Sequence, residues 1–407
     1  MAERLYIISG IPPGPSGTGM MLSHLERHAR QKAWERVQFF YPKRLSQPLR
    51  LLLRERRWRQ FVDEIAAYYL AKVVFHMRFF WVTHFGDGAT LILHPQTIGF
   101  RRTLRHMESR KGRTFLYVLD SSFFCIRSYN YIDGEAEPCL RCLGGGFEES
   151  EKMGCRPFPV PDEWANEYVR RLMGLVSSGR VRLLAQNAAQ AELLRRHFGG
   201  SIEVPVAGVW TDDWTVCFGS PAKVAPSPAK GPTGPGRERQ DWDVVFHAYY
   251  VPAKGATWLL SVARLCPEVQ FLFPFPKARE IAGAPSNVTF KPMTWESGLD
   301  RAVHEAALVC VPSLWSAPAE GALIKSLAVA RAVAVVRNDT ALASELPDEL
   351  VLKLSPDPAT AARELADAVT RGWAPDPGVR TRWLEDFNGR NSAFFDNMLT
   401  EIDRDAG

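Results

Sequence analysis

The sequence predicts an α/β protein built from two parallel-sheet domains, and three observations carry that expectation. In residues 308–336, "LVCVPS" has the composition of a strand buried on both faces, "ALIKSLAVA" has helical spacing, and "AVAVVRND" is a second apolar strand that stops at Asn338 and Asp339. The stretch "WDVVFHAYYVPAKGATWLLSVARLCPEVQFLFPF" repeats the theme as strand, loop, helix, turn and strand, a βαβ unit. Between the two halves of the chain, "SPAKVAPSPAKGPTGPGRER" is dense in Pro, Gly, Ala and Lys, cannot bury a core and reads as a flexible linker over 218–240. With 407 residues, 46% of them hydrophobic, the chain is long enough for each half to own a core.

From the start of the chain, "RLYIISG" reads as a buried strand running into "IPPGPSGTGMMLSHLERHAR", a Pro/Gly/Ser loop followed by a helix with Met21, Leu22 and Leu25 at core spacing. Glycines such as Gly17 let backbone amides approach a ligand closely. The loop is neither a Walker loop nor a GxGxxG fingerprint. Val62 to Phe85 is long and apolar but interrupted by Lys72, His76, Arg78 and His84, which predicts a core helix leading to the strand "ATLILHPQTIG". His94 closes that strand and Asp120 closes the next, "TFLYVLDSS". Ligands of open α/β sheets lie beyond the carboxyl ends of strands, so His94, Asp120 and the 313–320 loop are all expected to face a cleft. A strand-end histidine that only packs, and a Glu320 that only caps its helix, are the competing readings.

The net charge of +5 is unevenly spread. Residues 1–113 carry 20 Lys and Arg against 8 Asp and Glu, a local +12, while residues 114–407 carry 30 against 37, a local −7. Within 43–61, Arg50, Arg54, Arg56, Arg57 and Arg59 are interleaved with Leu51 to Leu53, Trp58 and Phe61, which suits an anionic membrane surface or, alternatively, a solvated basic helix. No nucleic-acid module surrounds them, so no nucleic-acid partner is expected. The apolar segments are too short or too charged to span a bilayer and the N-terminus lacks a signal pattern, so the expected location is cytoplasmic, with peripheral contact on the inner face of the membrane.

Cys125, Cys139, Cys142 and Cys155 fall within 31 residues as C-x13-C-x2-C-x12-C, and Cys217, Cys266 and Cys310 are scattered elsewhere. Disulfides are rare in the expected compartment, so the cluster points to thiolates sharing one centre, with Pro138, Gly144 to Gly146 and Pro157 as turn-formers around it. Zn2+ and a 4Fe-4S cluster both fit one tight pair plus two single cysteines.

"PSLWSAPAEGALIKSLAVARAVAVV" resembles the donor-binding segment of the retaining, two-domain GT-B glycosyltransferases, those of family 4 in particular. The family pattern has two glutamates separated by seven residues. Here Glu320 taken as the first leaves Ala328 at the second, while laying "KSLAVA" on the family's small-residue helix puts Lys325 at the second and Ala317 at the first. Lys254-Gly255 is similar to the family's Lys-Gly, where the lysine meets the donor diphosphate, and His247 is available to replace an arginine found nearby in the family. Trp295 falls near the family's base-binding position, and Gly208-Val209 and Asp212 match the passage that closes the first domain.

The resemblance implies a GT-B fold: two Rossmann-like domains facing a central cleft, with 1–217 as the acceptor domain, a cysteine insertion at about 121–160, 241–385 as the nucleotide-sugar domain and 386–407 as a helix crossing back. It implies transfer of a sugar from a UDP- or GDP-linked donor to a saccharide acceptor, lipid-linked in polysaccharide assembly, with no catalytic divalent metal. Lys254, Ser313, Lys325, Ser326 and Gly17 would bind the donor, and Glu320, His94 and Asp120 would act at the reacting centre. A non-catalytic nucleotide-sugar-binding protein regulated by its cysteine centre and a sugar-nucleotide epimerase are the alternatives.

Overall fold

A computed structural model describes residues 4–14, 17–42, 49–210, 242–275 and 283–404. The expected linker at 218–240, Cys217 with the domain boundary beside it, Asp212, and the 43–48 part of the basic segment lie outside the described residues.

Strands β1 (Leu5–Ser9), β2 (Val37–Phe40), β3 (Ala89–Leu93), β4 (Thr114–Tyr117) and β5 (Val181–Leu184) form a parallel sheet in the order β2-β1-β3-β4-β5. A second parallel sheet has the order β11-β10-β9-β6-β7-β8, built from β6 (Val244–Phe246), β7 (Phe271–Phe275), β8 (Val288–Pro292), β9 (Leu308–Cys310), β10 (Val333–Val336) and β11 (Leu352–Leu354). With the first sheet go helices α1 (Gly17–Gln31), α2 (Leu49–Arg54), α3 (Trp58–Phe85), α4 (Pro95–Ile98), α5 (Phe100–Ser109), α6 (Glu148–Lys152), α7 (Ala165–Ser177) and α8 (Ala188–Phe198). Then follow α9 (Ala256–Leu265), α10 (Leu299–Glu305), α11 (Gly321–Val329), α12 (Pro358–Arg371), α13 (Pro377–Asn391) and α14 (Phe394–Arg404).

Each sheet is covered on both faces, which is why its central strands read as unbroken apolar runs. Tyr6 and Ile8 of β1 enter one core with Phe79, Leu104 and Leu172, while Leu5 and Ile7 enter the opposite core with Leu22 and Leu25 of α1. That second core is completed by the end of the chain: Phe394, Phe395, Met398, Leu399 and Ile402 of α14 pack on the first sheet. Arg113 of the first domain donates to the Ile402 carbonyl at 2.7 Å, and Arg36 pairs with Asp403 at 2.5 Å. In the second domain Val244 and Phe246 face α9 and α12, whereas Val245 faces α11 and Trp383 and Phe387 of α13. Helix starts follow their caps: Asn187 accepts from the Gln190 amide at 2.8 Å ahead of α8, and Asp357 from the Thr360 amide at 2.8 Å ahead of α12.

Two elements differ from expectation. The edge strand β2 is not legible in the sequence, because its four residues are too few to establish a period and bury only Phe40. Helix α3 is a correction. Its apolar composition predicts a core helix, yet only Phe75, Phe79, Val82 and Thr83 are buried, and Leu70 (66%), Met77 (66%) and Phe85 (69%) are exposed, as are Trp58, Val62, Tyr69, Val73 and Phe80. The reason is geometric. Twenty-eight residues make a rod of about 42 Å, longer than one side of a small domain can cover, and a helix that is apolar all round shows no stripe to tell which side is packed. Among the described residues, no helix is long and apolar enough to cross a membrane.

Phe394→Ala is expected to lower stability by roughly 3–5 kcal/mol, the range for emptying a buried aromatic site. The exposed Leu265→Ala serves as the control, and both are read from the urea midpoint.

Candidate active site

Counted outward, the second sheet runs β8, β7, β6, then β9, β10, β11, so the direction of the crossovers reverses between β6 and β9. Loops leaving adjacent strands on either side of such a reversal part in opposite directions and open a crevice at the strand ends. Here those loops carry Lys254 and the 313–320 stretch. Gly255 holds them together. Its φ is +76°, and a Cβ on it would lie 2.0 Å from the Pro312 carbonyl oxygen, so no other residue fits. Leu314 N also donates to the Ala253 carbonyl at 2.9 Å.

This closure brings three of the sequence-predicted residues together. Lys254 and Glu320 form a buried ion pair, and the Ser313 hydroxyl donates to the same Glu320 oxygen, Oε2, at 2.7 Å. The Lys254 ammonium lies 5.0 Å from the centre of the Trp315 ring and 5.7 Å from that of Tyr129. Glu320 is the residue ahead of α11, but its side chain makes no cap hydrogen bond. The carboxylate turns to Lys254 and leaves the helix without a side-chain cap, at the end where backbone amides favour an anion.

One turn further on, Lys325 Nζ lies 5.3 Å from the Trp295 ring, which stacks on His247 at 5.4 Å. Two expectations change here. Ser326 is fully buried, its hydroxyl donating to the Ala322 carbonyl at 2.8 Å and lying 2.8 Å from His247 Nδ1, so it braces His247 instead of reaching a ligand. His247 does not stand in for an arginine. Burial first, then the Lys325 charge, pushes its pKa down to about 3, so the ring is neutral near pH 7 and Lys254 and Lys325 supply the positive charge.

The first sheet reverses between β1 and β3, and the loops there carry Gly10 and His94. Close backbone approach falls on Gly10, where a Cβ would lie 2.2 Å from Thr97 Oγ1 and 2.3 Å from its carbonyl carbon. Gly17, the glycine picked from sequence, is exposed at the start of α1, and a Cβ there would meet nothing within 4 Å. His94 adopts a left-handed φ of +58°, a strained conformation that a functional site can hold in place. Thr97 Oγ1 donates to its carbonyl at 3.0 Å and lies 3.2 Å from Nδ1. Burial lowers the His94 pKa, against the opposing pull of the Asp120 charge. Asp120 is buried and accepts from Gln96 Nε2 at 2.7 Å and from the Ser122 amide at 2.9 Å.

Tyr129 joins the two halves and was not singled out from sequence. Burial, then the charges of Asp120, Glu320 and Tyr249, push its pKa up to about 12, so carboxylates of both domains lie within electrostatic reach of one phenol. Its ring packs at a tilt of 39° against Trp315, with ring centres 4.4 Å apart. Next to it, Asn130 Oδ1 accepts from Ser316 N at 3.0 Å and its Nδ2 donates to Ser316 Oγ at 2.9 Å, while Asn187 Nδ2 donates to the Pro318 carbonyl at 2.5 Å. The 313–320 loop is thereby fastened to the first domain. Nothing in an irregular, cysteine-flanked segment signals this, because it has neither period nor motif.

The four clustered cysteines are free thiols and line one cavity, together with Ile126, Tyr131 and Ile132. Among the described residues no group of three or more His, Cys, Asp or Glu is placed to hold a single metal ion. Burial, then the neighbouring thiols of Cys139 and Cys155, raises the Cys142 pKa to about 11.

Two parallel-sheet α/β domains with facing strand ends define the GT-B fold, and solved structures agree. The chain is similar to sucrose-phosphate synthase from Thermosynechococcus elongatus, with 12% identity over 99% of this chain and 97% of that one, at a TM-score of 0.54. It is also similar to Anabaena HepE in complex with UDP-glucose (11% identity, 97% and 99% covered, TM-score 0.57). A third similar structure is an α,α-trehalose-phosphate synthase (UDP-forming) from Burkholderia xenovorans in complex with glucose-6-phosphate (13% identity, 98% and 100% covered, TM-score 0.54). No family model matches the sequence, and no curated protein matches it.

His247 titrates below its unfolded value of 6.5, so the unfolded chain takes up the proton first as the medium acidifies. Stability tied to its neutral ring is complete above about pH 6.5 and is lost from there down toward pH 3, by at most about 1.4 kcal/mol per pH unit. Urea midpoints measured from pH 7 to pH 4 are expected to fall, and His247→Gln to fall less steeply.

Proposed function

We propose that this chain is a glycosyltransferase that moves a sugar, with retention, from a UDP-linked donor to a saccharide acceptor, in the manner of family 4 enzymes. One observation carries the reading: the buried Lys254–Glu320–Ser313 constellation lies beside the uncapped amino end of α11, at the switch point of the second sheet. Support comes from Anabaena HepE, whose structures hold UDP and UDP-glucose, and from the Burkholderia enzyme, which holds glucose-6-phosphate.

In this mechanism the diphosphate lies at the start of α11 between Lys254 and Lys325. As the bond from the anomeric carbon to the phosphate oxygen breaks, negative charge grows on the departing nucleotide, and the two ammonium groups and the helix amides offset it. The acceptor oxygen forms the new glycosidic bond, and its proton ends on the released diphosphate. Glu320 orients Lys254 and faces the sugar, while Asp120 and His94 orient the acceptor across Tyr129. The side chains supply this charge without a catalytic divalent metal.

The acceptor is a lipid-linked saccharide presented at an anionic membrane surface on the cytoplasmic side. The exposed apolar side of α3 supports this, since Trp58, Val62, Tyr69, Val73, Met77 and Phe80 recur at helical spacing on one face. Around it stand the exposed Arg54, Arg56, Arg59 and Arg78, with Arg101, Arg102 and Arg105 on the neighbouring α5.

The purified protein, incubated with a panel of nucleotide sugars and glycan acceptors, is expected to release UDP. Binding without release under every acceptor would leave a nucleotide-sugar-binding protein in place of an enzyme. Lys254→Ala is expected to weaken UDP-sugar binding at least tenfold, about 1.4 kcal/mol, by calorimetry on a variant checked for native circular dichroism; unchanged affinity removes Lys254 from the site. The protein is expected to sediment with vesicles containing phosphatidylserine and not with neutral ones, and Met77→Asp combined with Phe80→Asp to abolish this; equal binding by the double variant rejects α3 as the contact.

A further inference from the structure

We infer that Cys125, Cys139, Cys142 and Cys155 together ligate one cubane iron–sulfur cluster, which fixes segment 129–131 against the loop 313–320. The first ground is convergence. Four thiols from three stretches of an irregular segment line the same cavity, whose remaining wall is apolar (Ile126, Tyr131, Ile132, Met153) or cationic (Arg127, Arg141) apart from Glu149 and Ser150. Cys125 and Cys142 also pack into the first core, but packing alone does not call for four thiols around one space, and apolar shielding with nearby positive charge suits a centre of net negative charge.

The second ground is spacing. A single tetrahedral ion with sulfur bonds of 2.3 Å draws its four sulfurs to within about 3.8 Å of one another. The four thiols share a cavity, yet no three are placed to hold one ion. A cubane takes one thiolate at each of four separate irons, so its four sulfurs stand further apart than those around a lone ion. Each cysteine gives up its thiol proton as it binds iron, and iron and sulfide are supplied from outside the chain.

The third ground is what the segment holds. Between Cys125 and Cys139, Asn130 is clamped from the cysteine side, with Cys139 N donating to its carbonyl at 2.7 Å and its Nδ2 lying 3.2 Å from the Cys139 carbonyl. The same side chain bonds Ser316 at 2.9 and 3.0 Å, and Tyr131 is buried in the core of the second domain. A centre ligated by Cys125 and Cys139 would restrain both ends of this strap, a role independent of any reaction at the cleft.

Protein purified without oxygen after expression with added iron is expected to contain about four iron and four acid-labile sulfide per chain and to show visible sulfur-to-iron absorption. One zinc per chain without sulfide, or a folded protein with neither metal nor sulfide, overturns the inference. Cys142→Ser and, should that variant misfold, the half-buried Cys139→Ser are each expected to lose most of the iron, whereas Cys310→Ser in the second domain keeps it. Hydrogen exchange is expected to rise at 129–131 and 313–320 once the cluster is removed; unchanged protection there overturns the role assigned to it.

Discussion

The contact between Gly255 and Pro312 is the constraint on which the candidate site depends. Two loops leave neighbouring strands in a region where sheet topology would drive them apart, and the absence of one Cβ lets their backbones touch. From that touch follows the meeting of Lys254 with Glu320, sixty-six positions away in sequence. A buried charge tolerates its position only when paired, and the same closure that builds the pocket supplies the pair. The pairing also diverts Glu320 from capping α11, and an uncapped, positively polarised helix end beside a held cation favours an anion.

The first domain contributes a second strand-end cluster, with strain at His94 and a braced Asp120, and the two clusters are linked by a segment belonging to neither sheet. Residues 129–131 leave the first domain, pack Tyr129 against Trp315 and bury Tyr131 in the core of the second. At the far end of the chain α14 returns to the first sheet, so the two domains are tied through the cysteine-flanked strap and through the C-terminal helix. The cleft therefore has two fixed walls and a third supplied by Tyr129, whose phenol feels the carboxylates of both sides.

Helix α3 and the cysteine segment are additions to the plan of two facing sheets. Both expose or enclose chemistry that the sheets do not require: an apolar side of a long helix open to solvent, and four free thiols around one small space. Each lends only part of itself to the first domain's core, Phe75, Phe79 and Val82 from α3 and Phe123, Phe124, Cys125, Ile126 and Cys142 from the cysteine segment, and what remains of each is the basis for the roles proposed above.

Sequence by itself determined the α/β class and the strand-loop-helix units, because strands buried on both faces must be apolar throughout and their helices must show a 3.6-residue period. It also marked Ser313, Glu320, His94 and Asp120, since strand-end position is readable wherever an apolar run stops, and Lys254 through the resemblance of its Lys-Gly pair to the family's. Tertiary structure alone decided which of these meet. It joined Lys254 to Glu320, turned Ser326 and His247 into supports, moved the close backbone approach from Gly17 to Gly10, brought α3 to the surface and revealed Tyr129 as the bridge. The physical reason is common to all of them. Burial, protonation and pairing are set by groups far apart along the chain, and a local pattern carries no record of who the distant neighbour is.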